Sequence, residues 1–364
     1  MQPGIAPESS PGGAHQKVSA PIDSPMRYRD AGVDIKVAGR AKARIKQLAR
    51  RTFNARVLGD FGAFGGFFSL QGLPQEAVLV SSIDGVGTKL KIAFALDRHS
   101  TVGADIVNHS VNDIAVHGAT PLFFLDYLAT GKLRPRIVEE IVAGVARACR
   151  EVGCALLGGE TAEMPGFYLP GEYDLAGCIV GWVRRREIVD GRSIRAGDVI
   201  VGLPSWGLHT NGYSLARQVL LEREGLKLRQ RIPELGRTLG EELLAPHRCY
   251  WPVVRPLLER KWIKGLVHIT GGGITDNTPR VLPPGCRALI RLGTWPVPPI
   301  FGLIARCGRV PQDEMLRTFN MGIGMLLIVS LDNLRDLTAW LEKRRERFWM
   351  LGRIVRGRPR VEYA

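Results

Sequence analysis

Four short apolar runs in this chain each end in a loop that combines glycine with a carboxylate or histidine. The first is Ala77 to Val80, which leads into Ser81-Ser82-Ile83-Asp84-Gly85-Val86-Gly87-Thr88-Lys89 and then a helix-like segment, Leu90 to Leu96. The second is Cys154 to Leu157, ending in Gly158-Gly159-Glu160. The third is Val199 to Leu203, followed by Ser205 to Ser214 with His209 in the middle, and the fourth ends at His268-Ile269-Thr270-Gly271-Gly272-Gly273. Continuous apolar runs bounded by such punctuation read as buried strands. In α/β architecture, ligands sit where strand ends deliver loops of this kind. The expected fold is therefore α/β (α+β) in two domains. Their boundary is placed in Asp190 to Asp198, where Gly191, Arg192, Arg195 and Gly197 separate two strand-like runs. The parts are an N-terminal extension, 1–27, a first domain, 28–192, and a second, 193–364.

The Asp84 loop carries the densest chemistry. Gly85 and Gly87 let backbone amides approach an anion, Lys89 adds a mobile positive charge, Thr88 a hydroxyl and Asp84 a hard oxygen ligand. That mixture suits a phosphate carried with a divalent cation. The alternative is a tight turn capped by Asp84, and the Walker A spacing is absent. Thr270, Gly271, Gly272 and Gly273 form a backbone anion nest, read as a phosphate cradle. Asp84, Asp113 and Glu160 are the expected oxygen ligands for Mg²⁺.

Thr101 to Gly118 reads as a mostly apolar helix that nevertheless carries Asp105, Asn108, Asn112 and Asp113. Residues 105, 108 and 112 share one face at helical spacing. A buried, unpaired carboxylate costs several kcal/mol, so this stripe either serves a site or faces water. His109 and His117 read as packing or surface residues, and His247 as structural. An earlier helix begins near Ile35, with Ala38, Ala41, Ile45 and Leu48 at helical spacing and Lys46 beside the stripe. Gly59-Asp60-Phe61-Gly62-Ala63-Phe64-Gly65-Gly66 reads either as a lid over a triphosphate or as an ordinary turn.

Composition narrows the classes. A net charge of +15 invites a nucleic-acid reading. The excess is scattered, however, and lacks interleaved aromatics that would stack bases, so no nucleic-acid partner is expected. No apolar run reaches the roughly 18 residues of a membrane span. Residues 1–27 are rich in Pro, Gly and Ser without the apolar core of a signal peptide, and read as a disordered extension. Six cysteines without a CxxC pair or zinc spacing read as reduced thiols of a cytoplasmic protein.

These motifs together resemble the phosphoribosylformylglycinamidine cyclo-ligase family, also called aminoimidazole ribonucleotide synthetases, from about Tyr28 to Val355. The carriers are Tyr28-Arg29-Asp30-Ala31-Gly32-Val33-Asp34, Val57 to Gly62, the Asp84 loop, Val111-Asn112-Asp113-Ile114, Pro121 to Leu133, Gly158 to Gly166, the His209 and His268 loops, and Arg317 to Met325. The resemblance implies ATP-dependent closure of formylglycinamidine ribonucleotide to aminoimidazole ribonucleotide, through an iminophosphate, with release of ADP and phosphate. It implies Mg²⁺, with K⁺ a further candidate, and a homodimer in which the first domains share a β-barrel. It places Lys46, Asp84, His209 and His268 among catalytic residues. It assigns Gly59, Asp60, Gly62, Asp84, Gly85, Gly87, Thr88 and Lys89 to ATP, and it raises the lid reading over the turn. Ile83 and Trp206 depart from the family pattern without removing a charged or histidine position. Sibling ATP users, such as thiamine-phosphate kinases, and a basic RNA-binding protein are the competing readings.

Overall fold

A computed structural model describes residues 35–62 and 65–364, with side chains from residue 39 onward. The expected extension, the Tyr28 to Asp34 entry and Ala63-Phe64 of the glycine-rich segment lie outside the described residues. The first half contains α1 (Ile35–Arg50), β1 (Ala77–Gly85), α2 (Leu90–Leu96), α3 (Ser100–Ala115), β2 (Thr120–Thr130), α4 (Pro135–Val152), β3 (Ala155–Glu163) and β4 (Tyr173–Arg184). The second half continues with β5 (Val199–Pro204), α5 (Tyr213–Arg217), β6 (Arg231–Ile232), β7 (Arg237–Thr238), α6 (Leu239–Leu243), α7 (Trp251–Glu259), β8 (Ile263–His268) and α8 (Gly273–Asn277). It closes with β9 (Cys286–Ile290), α9 (Pro299–Gly308), α10 (Gln312–Thr318), β10 (Ile323–Val329), α11 (Leu331–Lys343), β11 (Trp349–Arg356) and β12 (Val361–Tyr363).

The first sheet has the order β1-β4-β2-β3. β2 and β3 run parallel because α4 returns the chain across the sheet, while the β1–β4 and β2–β4 pairs are antiparallel. Antiparallel pairing carries β1 through Asp84↔Gly177 to Gly85↔Ala176. The strand is thus longer than its apolar run, and Asp84 stands in the strand rather than in a loop. β3 likewise runs on through Glu163, which puts Glu160 in a strand. Both strands run on past their apolar starts into polar residues, Ser81, Ser82 and Asp84 in β1 and Glu160, Thr161 and Glu163 in β3, which a search for apolar runs does not pick up.

α3 and α4 cover one face of this sheet. They cross so closely that a Cβ on Gly103 would lie 2.1 Å from the Ile141 carbonyl oxygen, and one on Gly144 2.1 Å from that of Ser100. Among the described residues the opposite face is covered only in part, by Phe68 against Phe123, and it leaves Leu79 56%, Ile83 74% and Tyr127 40% exposed. The second sheet, ordered β12-β9-β11-β5-β10-β8, is packed on both faces. Its strand β10 is buried throughout, with Ile323, Leu326 and Ile328 in one apolar cluster and Met325, Leu327 and Val329 in another. A third cluster runs across both halves, joining Ile92 and Val107 to Phe301 and Phe319.

Candidate active site

α3 explains where the site lies. Its polar stripe does not face water; it clamps a loop of the other half. Asp105 Oδ1 accepts from the His247 backbone N–H at 2.6 Å, Asn108 Nδ2 donates to the His247 carbonyl at 2.8 Å, and Asn112 bonds Arg248 O and Tyr250 N, both at 2.8 Å. Buried polar groups need such partners. The next positions round the helix, His109 and Asp113, then point toward the exposed end of β1.

There a cavity of about 580 Å³ opens between the halves, lined by Ser82, Asp84, His109, Asp113, His268, Thr270, Gly271 and Arg280, among others. Its size falls in the usual range for small-ligand sites. His109 Nε2 lies 2.8 Å from Asp84 Oδ2 and 3.6 Å from Asp113 Oδ2. His268 Nδ1 lies 2.8 Å from Asp113 Oδ1, and Ser82 Oγ donates to Asp113 Oδ2 at 3.1 Å. The hydrogen bond from His109 holds the Asp84 carboxyl below its ordinary value. Burial pushes Asp113 up, but bonding and charge from His268 and His109 outweigh it, so it too stays low. Both acids are therefore carboxylates at neutral pH. Burial works against a charge on His109, yet its carboxylate neighbours raise its pKa above the ordinary histidine value.

Behind this wall stand more histidines. His268 Nε2 is 2.9 Å from His247 Nε2, and the His247 ring stacks on His209 with centroids 4.0 Å apart. Thr210 Oγ1 lies between His247 Nδ1 at 3.2 Å and His109 Nδ1 at 2.8 Å. Burial depresses the pKa of His247 and His209 well below the ordinary value. His109 and His247, read from sequence as packing and structural residues, are thus tied to the cavity, and Arg280 carried no sequence signal at all. One signal for His109 was available: it lies four residues before Asp113 and shares a helix face with it.

Several expected site residues sit elsewhere. Lys89 is not a mobile charge. It and Asp105 are both 0% exposed and paired at 2.8 Å, with Lys89 Nζ also donating to the Ala245 carbonyl at 2.7 Å. Burial pulls Lys89 down and pushes Asp105 up. Thr88 Oγ1 meets Ser214 Oγ at 3.1 Å, and Gly85 N–H donates to Asp84 Oδ1 at 2.7 Å. Lys46 pairs with Asp60, as does Arg50, at 2.6 Å, and neither Lys46 nor Asp60 lines the cavity. Gly59 and Gly62 flank Asp60 in the chain and likewise do not line the cavity. His209 is fully buried, takes a left-handed φ of 62° and accepts from Trp206 N–H at 3.1 Å. It sits behind His247, away from the cavity wall. His268 is in the wall, but both ring nitrogens are engaged by Asp113 and His247. Thr270 and Gly271 line the cavity, whereas Gly273 is held by packing: its N–H donates to Thr270 O at 3.0 Å, and a Cβ there would lie 2.0 Å from Leu316 O. Gly272, with φ 97°, shapes the same turn.

As hard oxygen donors facing one cavity, Asp84 and Asp113 fit a divalent cation that completes its shell with phosphate and water oxygens. Glu160 does not join them within one chain. It pairs with Tyr127 on β2, and its row runs on through Ala176 on β4 to Gly85 on β1, next to Asp84. Three strand spacings amount to about 14 Å.

Residues 67–183 match the family described as AIR synthase related protein, N-terminal domain, and residues 195–364 match its C-terminal domain. A phosphoribosylformylglycinamidine cyclo-ligase of Trichlorobacter lovleyi is 52% identical over 328 residues, 90% of this chain and 94% of that one. A protein of the same name from Myxococcus xanthus is 52% identical over 331 residues, 91% and 96% of the two chains. Solved structures share the fold at lower identity. Thiamine-monophosphate kinase from Stenotrophomonas maltophilia superposes with a TM-score of 0.65 at 18% identity, covering 87% of this chain and 94% of that one. The hydrogenase maturation protein HypE in complex with ATP gives 0.60 at 20%, covering 87% and 89%. With two domain matches spanning most of its length and relatives identical at half of all aligned positions, the chain belongs to the phosphoribosylformylglycinamidine cyclo-ligase family.

Proposed function

We propose that this protein converts formylglycinamidine ribonucleotide to 5-aminoimidazole ribonucleotide at the expense of ATP, in de novo purine biosynthesis. The observation that carries the reading is the cavity between the halves, where two carboxylates kept ionised by histidines face Thr270, Gly271 and Arg280. The ATP complex of HypE, which shares this fold, supports nucleotide use. Asp84 and Asp113 would hold Mg²⁺, which when bound neutralises phosphate charge and orients the triphosphate.

The chemistry follows from the substrate. A formamide oxygen is a poor leaving group, so the γ-phosphoryl group of ATP moves onto it, releasing ADP and giving an iminophosphate. The amidine nitrogen of the same molecule then attacks that carbon, the ring closes, and phosphate departs with the former formyl oxygen. Holding both ends of one molecule in register supplies much of the rate. Arg280 and the Thr270 hydroxyl line the same cavity and would orient a phosphate, and the proton that the amidine nitrogen loses would leave with the departing phosphate.

We further propose the division into domains 28–192 and 193–364, which agrees with the two sheets and the two family matches. A homodimer formed through the partly covered face of the first sheet is part of the same reading. Leu79 and Ile83 are exposed there, and an apolar patch of this kind supports a second surface covering it. Within one chain Glu160, Lys46 and Asp60 lie apart from Asp84. A second sheet closing the barrel is the means by which these triphosphate residues would meet the cavity. Six free thiols agree with a cytoplasmic setting, and among the described residues no helix is long and apolar enough to cross a membrane.

The test is ADP release by the purified protein with Mg-ATP, with and without formylglycinamidine ribonucleotide, while the aminoimidazole product is followed by diazo coupling. Equal amounts of ADP and aminoimidazole, dependent on substrate and abolished by a chelator, are expected; K⁺ is varied in the same assay. ADP formation that ignores the substrate would move the assignment to a kinase of the same fold.

A further inference from the structure

Between Asp84 and Asp113 runs a continuous line of contacts that leaves the cavity and returns to it. Asp84 Oδ2 meets His109 Nε2 at 2.8 Å, His109 Nδ1 meets Thr210 Oγ1 at 2.8 Å, and Thr210 Oγ1 meets His247 Nδ1 at 3.2 Å. His247 Nε2 then meets His268 Nε2 at 2.9 Å, and His268 Nδ1 meets Asp113 Oδ1 at 2.8 Å. Each contact needs one hydrogen, and the carboxylates at the ends only accept. Both terminal imidazoles must therefore donate outward. Two nitrogens facing each other at 2.9 Å admit one hydrogen between them, so the donor at His268 Nδ1 and the donor at His247 Nε2 depend on each other. The direction of every bond in the line is coupled to the rest.

We propose that Thr210 and His247 are positioning residues that join the two histidine–carboxylate pairs into one hydrogen-bonded unit, so that Asp84 and Asp113 are oriented together. This rests on the reading of the cavity as the active site. His247 is held for the task by backbone bonds to Asp105 and Asn108, and Thr210 by its place next to His209 in a buried loop. A shared metal ion is not the purpose of the histidines behind the wall. The His209 and His247 rings stack at an interplanar angle of 23°, and lone pairs in two nearly parallel planes do not converge on one ion about 2.1 Å from each nitrogen.

The experiment compares Thr210→Val, which keeps volume and branching but loses the hydroxyl, with Thr210→Ser, which keeps the hydroxyl. His247→Gln, whose amide can donate where Nε2 stood, is compared with His247→Leu. For groups that orient ligands in this way, losses of about 10- to 100-fold are typical. Thr210→Val is expected to lower kcat by that factor, with KM for ATP and for formylglycinamidine ribonucleotide within about threefold, and Thr210→Ser to recover most of the loss. His247→Gln should exceed His247→Leu in the same way. Equal kcat for the valine and serine variants, at equal melting temperature, would overturn the proposal. Imidazole ¹⁵N shifts give a readout that does not need turnover. Thr210→Val should shift both the His109 and the His268 signals, and unchanged signals would refute the coupling even if the wild type proved to have another activity. A wild type that lacks cyclo-ligase turnover but shows the coupled shifts would instead remove only the reading on which the proposal was placed.

Discussion

The two sheets divide the work. The second is covered on both faces, its strand β10 entirely apolar and buried, and it behaves as a core. The first, among the described residues, is fully covered on one face only. On the other it leaves Leu79 and Ile83 in the open, and its edge strand β1 carries Asp84 into the cavity. A buried sheet gains stability from every residue, whereas a half-covered sheet keeps surface free for ligands and for another chain. The contrast teaches where substitution should be read as lost stability and where as lost function.

The largest break is expected at the half-covered sheet's edge. Asp84→Asn should lower turnover about 10³-fold, or ~4 kcal/mol of barrier, with an unchanged melting temperature; near-normal turnover would remove Asp84 from the site. A pH effect of comparable size belongs to the covered face of the same sheet. Burial, with help from Glu160, lifts the Asp126 carboxyl to about 7 from an ordinary 3.8. Between these two values the folded chain keeps a proton that the unfolded chain has lost. The contribution of Asp126 to stability should therefore be greatest below about pH 4, fall as pH rises through the window, and level off above about 7, an effect of up to ~4 kcal/mol. Asp126→Asn should flatten that slope in urea titrations at several pH values, and parallel curves for the two proteins would contradict the assignment.

Next comes the core sheet itself. Leu327→Ala should cost about 3 kcal/mol of unfolding free energy, against less than about 0.5 for Leu79→Ala in the dissociated chain. Equal losses would erase the distinction between the sheets. The smallest effect is on assembly. Ile83→Asp should weaken self-association about 10-fold, ~1.4 kcal/mol, seen by sedimentation as a shift toward the single chain. A wild type that is already monomeric at micromolar concentration would refute the interface.

Much of this organisation is legible in the sequence because strand-end loops concentrate their chemistry locally. Asp84, Asp113, His268, Thr270 and Gly271 could be singled out from glycine and apolar patterning, and the structure brings them to one cavity. What patterning could not supply was side-chain direction. Lys89 follows the glycines as a phosphate lysine would, yet it turns inward to Asp105, a partner sixteen residues away in sequence on α3. The polar stripe of α3 was visible as an anomaly, but its purpose lay 139 residues further on, at the His247 carbonyl. His247 itself has no local motif, because what makes it important is a histidine from β8 and a threonine from the β5–α5 loop. Lys46 and Glu160 match the family pattern, but their distance from Asp84 depends on sheet position, which no linear spacing encodes.

The clamp from α3 to the 247–250 loop also bears on how the molecule could be taken apart. Neither half owns the histidine line: His109 comes from the first, and Thr210, His247 and His268 from the second. If the chain were cut in the exposed stretch near Arg192 and the fragments produced separately, each would lack its partner's ends of the same hydrogen bonds. Catalysis would then depend on fragment complementation, reappearing with the concentration of the reassembled pair and reporting how strongly three polar side chains of one helix recognise the backbone of a distant loop.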